Sequence, residues 1–222
     1  MTRLRLDRSE VERRMPPVTR IDDRELQMRT VRELGRLPAY FWDAPATSSD
    51  DYHNEFGRGR HGLWIHTLMS CTALRRIADS YVEQDRLTRA DIDRARAALL
   101  LHDGRKYGQN WHTGKSAAKD HDLQMSRRLD EQDFATKIVG AVASHMGAWY
   151  AGPQPQTPLE RLVHHCDMMA SARHVTPAVY DPPAELVEVH PELPRAGVSD
   201  SCVTRDDPDR SMLTDFGGGD DE

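Results

Sequence analysis

The stretch AALLLHDGRKYG, residues 97–108, joins a strongly apolar segment directly to a polar one. Its first part, residues 97–101, has the composition of a helix buried in a protein core, and it runs without a break into His102 and Asp103. Burying an imidazole beside a carboxylate is costly unless other groups compensate them. The stretch therefore predicts a core helix whose end meets further polar residues at one place.

The composition suggests one folded domain with charged ends. The chain has 222 residues, of which 38% are hydrophobic, and a formal net charge of −6 at pH 7. A net negative charge does not favour a large nucleic-acid-binding surface. Cys71, Cys166 and Cys202 lack the spacing of a disulfide framework or a thiolate metal site, so we expect a cytoplasmic protein. No apolar run approaches the roughly 18 residues that span a membrane, and no signal-peptide core is visible, so no membrane association is expected.

Helical periodicity and capping signals predict an all-α fold with a core of about five to seven helices. The clearest helix covers Arg89–Leu101, because Thr88 and Asp91 form a capping box directly before it. No segment shows the alternating pattern of a strand, and residues 37–62 are expected to form a long ordered loop. Further helices are predicted at Leu26–Leu34, with Asp22 as its cap, at Leu63–Val82 and at Ser116–Leu129. Two more are predicted to begin after a cap at Asp130 and at Thr157-Pro158.

Two charged ends are predicted to lie outside this core. Residues 1–21 are Arg-rich and interrupted by prolines, which indicates a flexible basic arm, and residues 22–178 would form the helical domain. Residues 179–222 are rich in Pro and Asp, which indicates a largely disordered acidic tail that suits a basic partner. Within that tail, the segment Ala184–Val189 is a candidate for docking back onto the domain.

Polar residues suited to metal binding lie on or beside the apolar face of the predicted core helices. One histidine on such a face is usually a core histidine, but its recurrence on several helices indicates a shared site. Imidazoles and carboxylates are ligands for divalent metals, and a buried Asp needs a compensating cation. We therefore expect six side chains to converge around a divalent metal: His66, His102, Asp103, His121, His145 and Asp167.

The order of these residues resembles that of the HD-domain metal-dependent phosphohydrolases. HGLWIHTLMS, residues 61–70, is similar to the family's GGLLxHTLxV helix start and aligns His66 with the first family histidine. The resemblance covers about residues 38 to 175. The other matching segments are ALLLHDGRKYG (98–108, like ALLHDIGK), DHDLQMSRRL (120–129), VASHMGAW (142–149, like the xxxHHG turn) and LERLVHHCDMMASAR (159–173, like ExLVHxADxLxA).

The chain departs from the family pattern at three points, none of them a metal ligand. His61 replaces a glycine, Met146 replaces the second histidine of the HHG turn, and Gly104 directly follows Asp103 instead of standing one residue later. Gly104 and Met146 lie next to matched ligands, and His61 lies five residues before His66. They are therefore expected to alter substrate contacts and to leave metal binding intact.

The resemblance implies a metal centre with assigned roles. His66, His102, Asp103 and Asp167 would hold one divalent ion (Mn²⁺, Mg²⁺, Fe²⁺, Co²⁺ or Ni²⁺), and His121 and His145 would hold a second, with Asp103 as the bridge. A metal-activated water would attack the phosphate, which makes Asp103 catalytic. Lys106 either neutralises charge on the phosphoryl group or is a solvated loop lysine. The candidate substrate contacts are Arg58, Arg60, Arg105 and His61, while His53 and Trp149 are weaker candidates for a substrate role.

The implied function is hydrolysis of a phosphomonoester or phosphodiester bond in a nucleotide or oligonucleotide. A 3′–5′ exonuclease-like activity remains an alternative, although no added nucleic-acid-binding module is visible. A non-catalytic HD scaffold with a regulatory or partner-binding role is another alternative, and a structural metalloprotein with closed coordination is a third. All six ligand positions are filled, which favours the enzyme. The sequence leaves open whether the protein forms a homodimer.

Overall fold

A computed structural model describes residues 5–47, 52–150 and 152–196. Over these ranges the fold is all-α, as predicted, and six of its α-helices (α2 and α4–α8) pack together as the core. The α-helices are α1 Arg8–Arg14, α2 Arg24–Leu34, α3 Glu55–Arg58, α4 Gly62–Glu83, α5 Arg89–Leu101, α6 His121–Asp130, α7 Thr136–Ala143, α8 Pro158–Ser171 and α9 Ala184–Val189; short 3₁₀ helices cover Pro16–Arg20, Ala39–Trp42 and Gly147–Trp149, and the two-residue strands β1 Val179–Tyr180 and β2 Arg195–Ala196 pair in parallel.

Helix α5 is the central helix of the core. It packs against α2, α4, α7 and α8, and its last five residues, Ala97–Leu101, are fully buried. A helix that is apolar on all sides is stable only when neighbours surround it. Since α5 ends inside this packing, His102 and Asp103 are delivered to the interior of the domain.

Local capping fixes the start of the two helices that matter most for the interior. Thr88 and Asp91 form the predicted reciprocal capping box at the start of α5. At the start of α8, Thr157 and Glu160 form a second one, with Pro158 at the first helical position. Both helix starts were therefore predicted correctly from sequence.

Three other helix boundaries were predicted wrongly. Asp23 caps α2 instead of Asp22, whose backbone N–H donates to the Asp93 carboxylate. Helix α6 begins at His121 and not at Ser116, because the Ala118 N–H pairs with the Lys106 carbonyl and holds this segment against the loop after α5. Asp130 ends α6 and caps nothing; α7 begins at Thr136, after Ala135. For the first two boundaries a tertiary contact outweighs the local signal.

The basic arm predicted for residues 1–21 requires correction, because it is folded from Asp7 onward. Asp7 caps α1, and Val11, Met15 and Val18 are fully buried at helical spacing. Four of the arginines that suggested a flexible segment, Arg8, Arg13, Arg14 and Arg20, form ion pairs; Arg13, for example, pairs with Glu185 of α9. Residues 1–4 lie outside the described residues.

The first part of the predicted acidic tail is also folded. Helix α9 has the bounds of the predicted docking segment, and its Leu186 is fully buried, as are Val179 before it and Leu193 after it. The predicted disorder therefore does not hold for residues 179–196, and residues 197–222 lie outside the described part of the chain. Among the described helices, none combines the length and the apolarity needed to cross a membrane.

The capping box of α5 yields a test of stability against pH. Burial raises the pKa of Asp91, but hydrogen bonds from Thr88, Lys137 and Arg94 outweigh burial and lower this pKa to about 2. An unfolded Asp has a pKa of about 3.9, so the carboxylate stabilises the fold above about pH 4 and loses this contribution as the pH falls toward 2. Asp91→Asn should lower the free energy of unfolding by about 1–2 kcal/mol at pH 7 and by much less at pH 2.5, measured by urea denaturation.

Asp79→Asn is the matched control, because the Asp79 side chain is 65% exposed and pairs only with the exposed Arg89 among the described residues. Its effect should stay close to zero at both pH values. A deficit of Asp91→Asn that is equally large at both pH values would contradict the interpretation.

Candidate metal centre

The six predicted ligands meet at the buried end of α5. Each keeps at most 3% of its surface exposed, although they come from three helices and two turns that are far apart in sequence. His66 lies in α4, His102 and Asp103 follow α5, His121 opens α6, His145 follows α7, and Asp167 lies in α8.

One group of ligand atoms surrounds His66 Nε2. This atom lies 2.9 Å from Asp167 Oδ1 and 3.2 Å from His102 Nε2. Asp103 Oδ2 completes the group at 3.8 Å from His66 Nε2. Two ligand atoms that are each about 2.1 Å from one ion lie about 3–3.5 Å apart. The spacing in this group therefore suits a shared cation.

A second group forms around the other oxygen of Asp103. Asp103 Oδ1 lies 2.9 Å from His121 Nε2 and 3.6 Å from His145 Nε2. The ligand atoms of Asp103, His121 and His145 all lie within 4.8 Å of one another. The two oxygens of one carboxylate thus face two different sets of imidazoles.

Backbone hydrogen bonds orient three of the imidazoles. The Nδ1 atoms of His102, His121 and His145 lie 2.7–2.8 Å from carbonyl oxygens three residues earlier in the chain. Such a carbonyl accepts a hydrogen bond from Nδ1–H, and this tautomer leaves the lone pair on Nε2. Metal-binding histidines in proteins are held in this way. The three Nε2 atoms are therefore oriented as ligands toward the centre.

The Nε2 atoms of His121 and His145 test whether a metal fits this site. Both are buried and lack a hydrogen-bond partner among the described residues. Each faces a carboxylate oxygen, so two lone pairs oppose each other without a proton between them. This arrangement is unfavourable unless a cation lies between the atoms. The donor set of four imidazoles and two carboxylates fits a divalent metal ion.

Lys106 is the positive group of the centre. It is buried, and its Nζ lies 3.0 and 3.2 Å from the two oxygens of Asp103. Burial lowers the pKa of Lys106, but the charges of Asp103 and Asp167 outweigh burial and raise it. Burial raises the pKa of Asp103, but the opposite charges of Lys106 and His102 outweigh burial and hold this pKa well below its usual range. Both carboxylates are therefore ionised at neutral pH.

The histidines respond to these charges in different ways. Burial lowers the pKa of His121, and the positive charge of Lys106 lowers it further, so this imidazole is neutral and free to bind a metal. Burial also lowers the pKa of His102, but the adjacent carboxylates outweigh burial and raise it. A proton and a metal ion therefore compete for His102 Nε2.

The centre opens on one side into a cavity of about 520 Å³. Lys106 and Asp167 belong to both the centre and the cavity lining. Tyr52 and Trp149 form an exposed aromatic pair in this lining, 54% and 61% exposed, with ring centroids 5.7 Å apart. Tyr150 also lines the cavity, and its ring lies 5.4 Å from that of His121. A molecule in this cavity can reach both the aromatic pair and the centre.

The predicted substrate contacts Arg58, Arg60, Arg105 and His61 are absent from the described lining of this cavity. Arg60 forms a 2.7 Å ion pair with Asp43, and His61 Nδ1 lies 2.5 Å from the Trp42 carbonyl. The 3₁₀ helix Ala39–Trp42 and the residue after it thus engage both side chains. Arg105 donates a 2.8 Å hydrogen bond to Gln109. The cavity gives no support to these four residues as substrate contacts.

Sequence reasoning missed several lining residues and undervalued two others. Tyr52, Tyr150 and Arg173 were not considered, while His53 and Trp149 had been considered only as weak candidates. The sequence offered one signal for the two tyrosines, because each is the chain neighbour of a weak candidate: Tyr52 precedes His53, and Tyr150 follows Trp149. Arg173 lies shortly after Asp167, beyond the end of α8.

The all-α fold and the buried His/Asp cluster together indicate a metal-binding helical protein. A protein-family model described as HD domain matches residues 63–172, a range that contains all six cluster residues. The chain therefore contains an HD domain, the domain of a superfamily of metal-dependent hydrolases. No curated protein and no solved structure matched the chain.

Metal content tests the centre directly. The purified protein should contain a divalent metal, and His102→Ala should retain little of it, because His102 contributes to two of the three candidate ligand groups. Even residues that only support metal ligands typically change the affinity 10–100-fold, so the loss from His102→Ala should be at least that large. His112→Ala, in an exposed loop, is the control and should keep the wild-type content. Wild-type metal content in His102→Ala, measured by elemental mass spectrometry, would refute the assignment.

Proposed function

We propose that the protein is a divalent-metal-dependent phosphohydrolase that cleaves a phosphate ester of a nucleotide or short oligonucleotide. One observation carries this proposal: a buried His/Asp centre opens, beside a buried lysine, into a cavity with an exposed aromatic wall. The HD-domain match supports the hydrolase class. The nucleotide follows from the chemistry of the cavity.

We further propose that the centre would hold two divalent ions, with His66, His102 and Asp167 serving one, His121 and His145 serving the other, and Asp103 contributing to both. The support is the division of the Asp103 oxygens between the two groups of imidazoles. When bound, divalent ions lower the pKa of water and polarise phosphoryl oxygens, so no side-chain base is required. Four imidazoles favour Mn²⁺, Fe²⁺, Co²⁺ or Ni²⁺ over Mg²⁺, which prefers oxygen ligands.

Lys106 would bind and orient the phosphoryl group. Its ammonium lies at the boundary between the carboxylates and the cavity, where it can contact an anion without leaving Asp103. In a buried site, a fixed positive charge stabilises negative charge that develops during displacement at phosphorus. Arg173 adds a second positive charge to the cavity lining.

Tyr52 and Trp149 would bind the base of the substrate. Large aromatic side chains that remain more than half exposed on a cavity wall provide a stacking surface. Their chain neighbours also touch the centre, because His53 packs against His66 and Tyr150 packs against His121. The cavity volume of about 520 Å³ lies within the usual range for small-molecule sites.

A nuclease that acts on single-stranded 3′ ends is the second candidate, because the same aromatic pair could stack a terminal base. Within the described lining, Lys106 and Arg173 are the only lysine or arginine, which favours a short substrate over a long charged strand. Access from the cavity to Asp167 argues against a structural metal site, since such sites are closed.

The substrate assignment predicts that loss of Trp149 weakens nucleotide binding but leaves hydrolysis of a substrate without a base unchanged. The metal-loaded protein should release phosphate from at least one nucleotide in a panel of mono-, di- and oligonucleotides. Trp149→Ala should raise KM for that nucleotide roughly fivefold or more, because loss of base stacking costs about 1–3 kcal/mol. The same variant should hydrolyse p-nitrophenyl phosphate, which lacks a base, with unchanged kinetics.

Trp111→Ala is the matched control, because Trp111 is partly buried against the core and is absent from the described cavity lining. It should leave KM for the nucleotide unchanged. Equal losses of Trp149→Ala on both substrates would contradict a base-binding role, and release from oligonucleotides alone would favour the nuclease.

A further inference from the structure

His53 has a backbone conformation that is uncommon for residues other than glycine. Its φ of 70° lies in the left-handed region, where a side chain strains the backbone. His53 packs closely against Gly57, which has no side chain. A Cβ atom at position 57 would lie only 2.9 Å from the Cβ of His53. The next residue, Asn54, is fixed through a 2.9 Å hydrogen bond to the Ala170 carbonyl and caps α3. The fold thus maintains a strained position beside the centre.

The His53 imidazole lies between the metal centre and the cavity. Its ring centroid is 5.1 Å from that of His66, and the residue lines the cavity with Lys106 and Asp167. It belongs to none of the candidate metal-ligand groups among the described residues. His53 is therefore adjacent to the centre without being one of its ligands.

One ring nitrogen of His53 lacks a partner. Nε2 lies 3.4 Å from the Ser171 hydroxyl, whereas Nδ1 is buried and makes no hydrogen bond within the described part of the chain. The whole residue is only 9% exposed, and it lines the cavity, so a molecule bound there can supply the missing partner. A buried polar atom without a partner destabilises the fold. Strain and an unpaired atom in one residue indicate that a ligand completes the arrangement.

We propose that His53 is a substrate-binding residue, whose Nδ1–H donates a hydrogen bond to an oxygen of the phosphoryl group in the cavity. When the Ser171 hydroxyl donates to Nε2, the imidazole proton resides on Nδ1, which makes the unpaired atom a donor. A phosphoryl oxygen accepts such a bond, and Lys106 on the same cavity attracts its charge. The proposal rests on the proposed phosphohydrolase function.

Inorganic phosphate is the probe, titrated calorimetrically into the full-length protein loaded with Mn²⁺. His53→Asn keeps a residue that tolerates a left-handed backbone, and His53→Gly removes both the ring and the strain. Both variants should bind phosphate about tenfold to a hundredfold more weakly, with unchanged Mn²⁺ content and with a Tm no lower than that of the wild type. Ser171→Ala should weaken binding less, and His112→Asn, in an exposed loop, should not change it.

Unchanged phosphate affinity in both His53 variants would overturn the proposal. Loss of Mn²⁺ together with phosphate would also overturn it, because His53 would then act by positioning His66. Failure of the wild type to bind phosphate would have the same consequence. Phosphate binding that depends on His53, in a protein that hydrolyses no nucleotide, would refute the proposed function and leave the contact standing.

Discussion

The burial of the Asp103 carboxylate is the constraint on which the structure depends. A charged group at the end of a core helix is tolerated only when opposite charge and donors surround it. Lys106 supplies one positive charge, and the imidazoles from the other core helices supply ligand atoms for a cation. Helices α4, α6, α7 and α8 therefore have to meet at the end of α5, and this meeting point is also the candidate active site.

The charge balance of the centre bears on the proposed phosphate substrate. Asp103 and Asp167 carry two negative charges, and Lys106 carries one positive charge. The raised pKa of His102 allows a proton there to supply the second positive charge, so without a metal the centre has no excess positive charge to attract a phosphate group. A divalent cation would supply that excess, and the cavity would then have a positive end and an aromatic wall, as the proposed nucleotide requires.

Much of the site could be predicted from sequence because its signals are local. Each ligand lies beside an apolar stripe, and capping residues such as Thr88 and Thr157 fix where α5 and α8 begin. The start of α6 could not be predicted, because it depends on a backbone hydrogen bond between Ala118 and Lys106. The cavity wall could not be predicted either, because Tyr52 and Trp149 meet only in the folded chain.

The N-terminal helices belong to the same packed core as the candidate metal centre. Arg14 packs over the rings of Trp42 and Trp64, and its carbonyl accepts a 2.9 Å hydrogen bond from Nε1 of Trp64, which lies two residues before His66. The match to the family begins at residue 63, beyond α1 and α2. The packed core thus extends beyond the matched segment, and helices outside that segment supply part of the scaffold around His66, the first candidate metal ligand.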